Sequence, residues 1–318
     1  MSVTARPAPP LDPAKFRDPR LTAKGEERAQ VRLAALRTLW VNTGTLCNIT
    51  CRHCYIESSP RNDALAYLGA AELEAYLAEI DREALPVEEV GFTGGEPFLN
   101  RDLPRMLEAV LARGLRALVL TNAMKPMRNH AAALLALRAA HGDRLTLRVS
   151  LDHHTAALHD QERQEGSFAQ ALAGLGWLAR QGFHLHVAGR AGFGAEGEAA
   201  MRAGFARLFA AHGIPVDAAD PVALMLFPEM DAGIDVPEIT TACWGILRKS
   251  PESLMCASSR MVVKRRGAAR PAVLACTLLP YDPQFELGAT LAEAARPVPL
   301  NHPHCAKFCV LGGAACSR

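Results

Sequence analysis

Between Thr38 and Phe227 short β-type apolar runs alternate with longer helical ones, and this alternation limits the possible folds more than any other feature. The strand-type runs are Thr38–Thr43, Glu89–Thr93, Ala117–Thr121, Thr146–Leu151, His184–Ala188 and Val222–Phe227. Helix-type runs at Gly69–Glu83, Leu103–Arg113, His130–His141, Phe168–Gln181 and Glu196–His212 separate them. Strands joined through helices pair in parallel by right-handed crossovers, which predicts an α/β sheet that curls or is covered on both faces. After Pro228 the alternation stops, and Cys243, Cys256, Cys276, Cys305, Cys309 and Cys316 follow. The chain therefore divides into an N-terminal arm (1–36), a repetitive core (37–230) and a cysteine-rich extension (231–318). Prolines at 7, 9, 10 and 13 punctuate the arm and leave room for one helix, Lys24–Leu36.

Directly after the first strand stand Cys47, Cys51 and Cys54 at a C-x3-C-x2-C spacing. Three thiolates on one short loop can hold three irons of a [4Fe–4S] cube and leave the fourth iron without a protein ligand. A structural zinc site is the alternative, but no fourth ligand stands nearby at the usual spacing. The chain has nine cysteines, and its first residues lack a basic segment followed by an apolar run. Together these features favour metal ligation in a reducing cytoplasm over disulfides. A net charge of +2 demands neither nucleic acid nor membrane as a partner, and no apolar stretch approaches a membrane span.

The cysteine loop, followed by Gly94-Gly95-Glu96-Pro97 after the second strand, resembles the radical S-adenosylmethionine (SAM) superfamily. Thr121-Asn122 at the end of the third strand and Ser150-Leu151-Asp152 at the end of the fourth extend the resemblance over residues 37–230. It implies a partial (β/α)6 TIM-like barrel. It also implies that the open iron chelates the methionine end of SAM, and that one electron then releases a 5′-deoxyadenosyl radical. Gly94 and Gly95 would admit the methionine moiety, Glu96 would accept its ammonium group, and Pro97 would stiffen the turn. Ser150 and Asp152 share a face within reach of the ribose hydroxyls, and Asn122 belongs to the same pocket. Val187 and Gly189 on the fifth strand would lie along the adenine, and Arg163 or Arg190 would neutralise the SAM carboxylate. His53 stands where relatives usually carry an aromatic residue. Gly192-Phe193-Gly194-Ala195-Glu196-Gly197 satisfies G-x-G-x-x-G, but it follows the fifth strand, outside a first βαβ unit, which argues against a dinucleotide site. The adjacent pair His153-His154 reads as a solvated loop, since neighbours in a strand face opposite ways.

In the extension, Cys256 and Cys276 flank the basic segment Lys264-Arg265-Arg266-Gly267, which predicts a β-hairpin turning near Gly267. Cys305, Cys309 and Cys316 follow in a glycine-rich loop. Phe285–Leu291 resembles the "LG-x-L" segment of SPASM and twitch extensions, which hold auxiliary Fe–S clusters. The full seven-cysteine pattern is not met. The resemblance therefore implies one auxiliary [4Fe–4S] cluster, with ligands drawn from Cys256, Cys276, Cys305, Cys309 and Cys316. Cys243 is a buried thiol or a further ligand. The basic turn is a solvated hairpin or a docking point for an electron donor such as flavodoxin or ferredoxin. Two functional classes follow. One is a radical SAM oxidoreductase or maturase acting on a peptide or cofactor-precursor small molecule. The other is a noncatalytic Fe–S protein of electron transfer or assembly. Peptide-modifying relatives often carry a winged-helix leader-binding module, and 36 residues are too few to form one. A peptide substrate would then need a separate recognition partner or a different binding mode.

Overall fold

The computed structural model describes residues 9–192, 196–228 and 231–313. Its strands are β1 (Gln30–Val31), β2 (Thr38–Asn42), β3 (Glu89–Thr93), β4 (Arg116–Thr121), β5 (Leu145–Ser150), β6 (His184–Arg190), β7 (Leu224–Phe227), β8 (Ser259–Val263), β9 (Ala272–Leu274), β10 (Glu286–Gly288) and β11 (Val298–Pro299). Its helices are α1 (Ala70–Arg82), α2 (Leu103–Ala112), α3 (Lys125–Arg128), α4 (Ala131–His141), α5 (Ala156–Arg163), α6 (Ser167–Arg180), α7 (Glu198–His212) and α8 (Cys243–Leu247). Strands β2 to β7 pair in parallel and in chain order, and the sheet does not close, so the expected partial (β/α)6 barrel is what forms. All five residues of β2 are buried, Leu39, Trp40 and Val41 among them, as befits a strand covered on both faces.

The hairpin at Gly267 is present as the antiparallel pair β8–β9, and Gly267 turns it at φ +78°. Its placement adds something the sequence did not suggest: β8 pairs in parallel with β2. The cysteine-rich extension thereby continues the barrel sheet to nine strands, in the order β10-β9-β8-β2-β3-β4-β5-β6-β7. What would have been an open edge at β2 is covered.

The arm departs from expectation. In place of a helix over Lys24–Leu36 there is a turn at Gly25 (φ +76°), followed by β1 paired with β11. The cause is Arg28, which is fully buried. It donates to the carbonyls of Asp18, Leu21 and Leu300 and pairs with Glu238 at 2.5 Å. Tertiary partners for one charged side chain outweigh the weak helical preference of the segment. Helix α5 also lay in a stretch the periodicity did not mark as helical, because its buried face is polar: His159 and Glu162. Among the described residues, no helix is long and apolar enough to cross a membrane.

Candidate active site

The C-terminal ends of the parallel strands open into one cavity of about 170 Å3. Cys47, Cys51 and Cys54 line it, together with Gly94, Gly95, Asn122, Ser150, Asp152, Arg163, Gly189 and Arg190. This is the edge of an α/β sheet where loops converge and ligands bind. Three of the residues singled out from the sequence do not reach the wall: Glu96, Pro97 and Val187 are buried behind it.

The cysteine loop is held by main-chain contacts on several sides. The Cys47 N–H donates to the Ser59 carbonyl (3.1 Å), and Gly95 and Glu96 donate to the carbonyls of Gly44 (2.9 Å) and Leu46 (3.1 Å). That packing is why positions 94 and 95 are glycine. A Cβ on Gly94 would lie 2.4 Å from the Gly44 oxygen, one on Gly95 2.2 Å from the Leu46 oxygen, and Gly94 has φ +137°. The donor set suits an iron cluster. Burial pushes the Cys47 thiol up to about 12 and raises Cys51, a cost of ionisation that bound iron offsets.

Glu96 joins the ends of β3 and β4. Its carboxylate accepts from the Thr121 hydroxyl (2.8 Å), the Asn122 N–H (2.8 Å) and the Phe98 N–H (3.2 Å). Burial pushes its carboxyl up to about 7 even against those three donors. The Asn122 amide donates to the Asn48 oxygen (2.9 Å), which ties the third strand's end to the cysteine loop.

Asp152 and Arg163 form a two-pronged pair, Nε–Oδ2 2.7 Å and Nη2–Oδ1 2.9 Å. Burial by itself would raise the Asp152 carboxyl, but Arg163, with help from Arg190, holds it below the usual range. The Asp152 N–H donates to His159 Nδ1 (3.1 Å), and burial pushes that imidazole down to about 4, so His159 is a neutral buttress.

Glu162, which sequence reasoning did not single out, packs against the cysteine loop. It is 2% exposed and accepts from the His53 N–H (3.0 Å), His53 Nδ1 (2.9 Å) and Arg190 Nη1 (2.8 Å). Its own carbonyl accepts from the Arg52 N–H (2.8 Å), and Arg190 Nη2 donates to the His53 carbonyl (2.8 Å). The end of α5 thus grips the cysteine loop at Arg52 and His53. The only local signal was the charge-rich stretch His159-Asp160-Gln161-Glu162-Arg163.

His153 and His154 are not solvated. His153 is fully buried, and both rings face Glu196, His154 Nε2 at 3.0 Å and His153 Nε2 at 3.9 Å. The strand ends at Ser150, so the alternation argument did not apply to them. Thr155 N–H donates to His153 Nδ1 (3.0 Å), which leaves the proton of the neutral ring on Nε2, facing the carboxylate. His154 hydrogen-bonds the Glu196 carboxylate, whereas His153 Nε2 makes no hydrogen bond among the described residues. Phe193, Gly194 and Ala195 of the G-x-G-x-x-G stretch lie outside the described residues, as does Cys316.

Four cysteines of the extension meet. Cys256, Cys276, Cys305 and Cys309 line a small cavity of about 20 Å3, otherwise walled by Met255, Phe285, Val298 and Leu300. Burial pushes the Cys256 thiol up to about 11 and Cys305 well above its ordinary value. Cys243 lies apart from this cavity, its sulfur beside Thr240 (3.4 Å). The two cavities are neighbours. Phe308, on the π-helical turn Cys305–Leu311, and Leu278, two residues past Cys276, both line the larger one. Phe308 stacks on Phe227 at the end of β7, with ring centroids 5.8 Å apart. In the basic turn Lys264, Arg265 and Arg266 pair with Glu72, Glu286 and Asp63.

The sequence matches the family profile described as "Radical SAM superfamily" over residues 41–201. It is 31% identical over 147 residues to the antilisterial bacteriocin subtilosin biosynthesis protein AlbA of Bacillus subtilis, covering 45% of this chain and 30% of that protein. It is 31% identical over 137 residues to the mycofactocin maturase MftC of Mycobacterium ulcerans, covering 43% and 35%. The matched stretch spans about a third of the length of these relatives. The fold is similar to that of SuiB from Streptococcus suis, solved with S-adenosylmethionine bound. The TM-score is 0.58 at 12% identity, over 80% of this chain and 64% of that one.

Proposed function

This chain belongs to the radical SAM superfamily of enzymes, and from that premise we propose a peptide or cofactor-precursor maturase that uses one auxiliary [4Fe–4S] cluster beside its SAM site. One observation carries the proposal: the cavity walled by Cys47, Cys51 and Cys54 is also walled by Phe308 and Leu278, which belong to the segments holding the C-terminal cysteines. A substrate seated there would lie between the two cysteine sets.

Cys47, Cys51 and Cys54 would hold a cluster that, when bound, would supply the electron for reductive cleavage of SAM and so the oxidising power for hydrogen abstraction from substrate. The remaining work falls to the protein. Asn122, Ser150 and Gly189, which line the cavity at the strand ends, would contact SAM, and Glu96 fixes the spacing of two of those ends from behind the wall. Arg163 and Arg190, anchored by Asp152 and Glu162 on the cavity wall, would neutralise the SAM carboxylate. The apolar side chains Leu120, Phe227, Leu278 and Phe308 keep water away from the reacting carbon. Cys256, Cys276, Cys305 and Cys309 would hold the auxiliary cluster.

A peptide substrate is favoured over a small molecule by the precursor peptide SuiA bound to SuiB in a solved structure of the same fold. The basic hairpin is a poor docking point for a flavodoxin or ferredoxin, because each of its three cations is paired with an acid. Anaerobically reconstituted protein given dithionite and SAM is expected to form 5′-deoxyadenosine. Iron-loaded protein that forms none would leave the noncatalytic Fe–S reading in its place.

A further inference from the structure

Arg260, on β8, is fully buried. Its guanidinium donates to four main-chain carbonyls: Nε to Ala294 (2.8 Å), Nη1 to Cys256 (2.6 Å) and Ser259 (2.7 Å), and Nη2 to Arg296 (3.4 Å). Among the described residues, no carboxylate forms an ion pair with it. Carbonyls take four of its five N–H donors but leave its charge uncompensated, and an uncompensated buried charge is strongly destabilising. The buried Arg28 of the same protein shows the usual remedy, an ion pair with Glu238. Arg260 lies beside the small cavity: its Nη1 donates to the carbonyl of Cys256, which with Cys276, Cys305 and Cys309 lines that cavity. A cube on four thiolates carries net negative charge, and reduction adds one more.

We propose that Arg260 is the buried counter-charge of the auxiliary centre and holds its reduction potential up by stabilising the reduced state. This rests on the auxiliary-cluster reading above. The step concerned is a one-electron reduction of the cube by a low-potential donor, with no bond made and no proton moved. Arg260 acts through its charge on the centre and is a positioning residue; its four hydrogen bonds also tie β8 to the segment 294–296.

Charge and hydrogen bonding separate in a set of variants. Arg260→Gln and Arg260→Met remove the charge, whereas Arg260→Lys keeps it and loses the planar hydrogen-bonding fork. The readouts are iron per chain and a dye-mediated redox titration followed by electron paramagnetic resonance. The C-terminal centre is identified as the signal that survives Cys51→Ala. Wild type is expected to hold iron near that of two cubes. The neutral variants are expected to shift the centre's reduction at least tenfold toward the oxidised form, about 59 mV for one electron, with the lysine variant close to wild type. Loss of the second cube from both neutral variants but not from lysine would support the same charge dependence, read as occupancy. An unchanged potential in all three, an equal shift in all three, or loss of the cube from all three would overturn the role of Arg260 and leave the auxiliary centre standing. Iron near one cube in wild type would overturn the auxiliary centre and this inference with it.

Discussion

Replacing Glu162 by alanine should free the cysteine loop while leaving the barrel intact. The carboxylate accepts the His53 N–H at 3.0 Å, and hydrogen bonds to charged groups contribute about 1.5–3 kcal/mol. Its pair with Arg190 (2.8 Å, side chain 20% exposed) adds less than that, and its pair with His53 Nδ1 (2.9 Å) less still, because that ring is 56% exposed and water screens it. A total of roughly 3 kcal/mol for the anchoring of the loop follows, about a hundredfold in its opening equilibrium. If iron leaves through that opening, a chelator should strip the SAM-site cluster of Glu162→Ala about a hundred times faster than that of wild type. Glu162→Gln keeps one acceptor for the His53 N–H and should fall between. The assay is the decay of visible Fe–S absorbance under anaerobic chelation, with the melting temperature as the control for global stability. An alanine variant whose cluster decays at the wild-type rate would refute the clamp. So would one that loses global stability by the same amount, since the effect would then not be local.

Cys51→Ala should abolish SAM cleavage, whereas Cys276→Ala should leave some 5′-deoxyadenosine formation; equal loss from both would argue against separate roles for the two cysteine sets. Gly95→Ala must push the Leu46 carbonyl away from a Cβ 2.2 Å distant, an overpacking cost of about 1–3 kcal/mol. It should show in thermal unfolding and in weakened SAM cleavage, and an unperturbed variant would contradict the tight crossing of the two loops. Glu96, pushed up to about 7 by burial, binds a proton more readily folded than unfolded. Its contribution to stability is therefore full below its ordinary range near 4.5 and lost as pH rises through about 7. Unfolding free energy measured from pH 5 to 8 should fall across that window by about 1–3 kcal/mol, and Glu96→Gln should flatten the slope; an unchanged slope would count against the shift.

Much of the fold was legible because each barrel strand is a short apolar run bounded by turn residues, a signal confined to a few residues. The pairing of β8 with β2 was not, since sheet neighbours distant in sequence leave no local trace. The cysteine loop could be read from spacing alone. Its support could not: Glu162 and His53 are 109 residues apart, and only the fold brings the carboxylate to the loop. Arg28 and Arg260 teach a related lesson. A charged residue in a sequence reads as surface, and the partners that make burial tolerable come from elsewhere in the chain. His153 and His154 were misjudged because a rule for strands was carried past Ser150, where the strand ends.

The central claim is that Cys47, Cys51 and Cys54 hold a cluster whose open iron takes the methionine end of SAM. Pulsed electron paramagnetic resonance on the reduced protein, with SAM labelled at its amino nitrogen and carboxylate oxygen, reads that bond directly. Strong hyperfine coupling from both labels to the cluster, absent in Cys51→Ala, is the predicted result. A reduced cluster in wild type with no coupling to either label would contradict it.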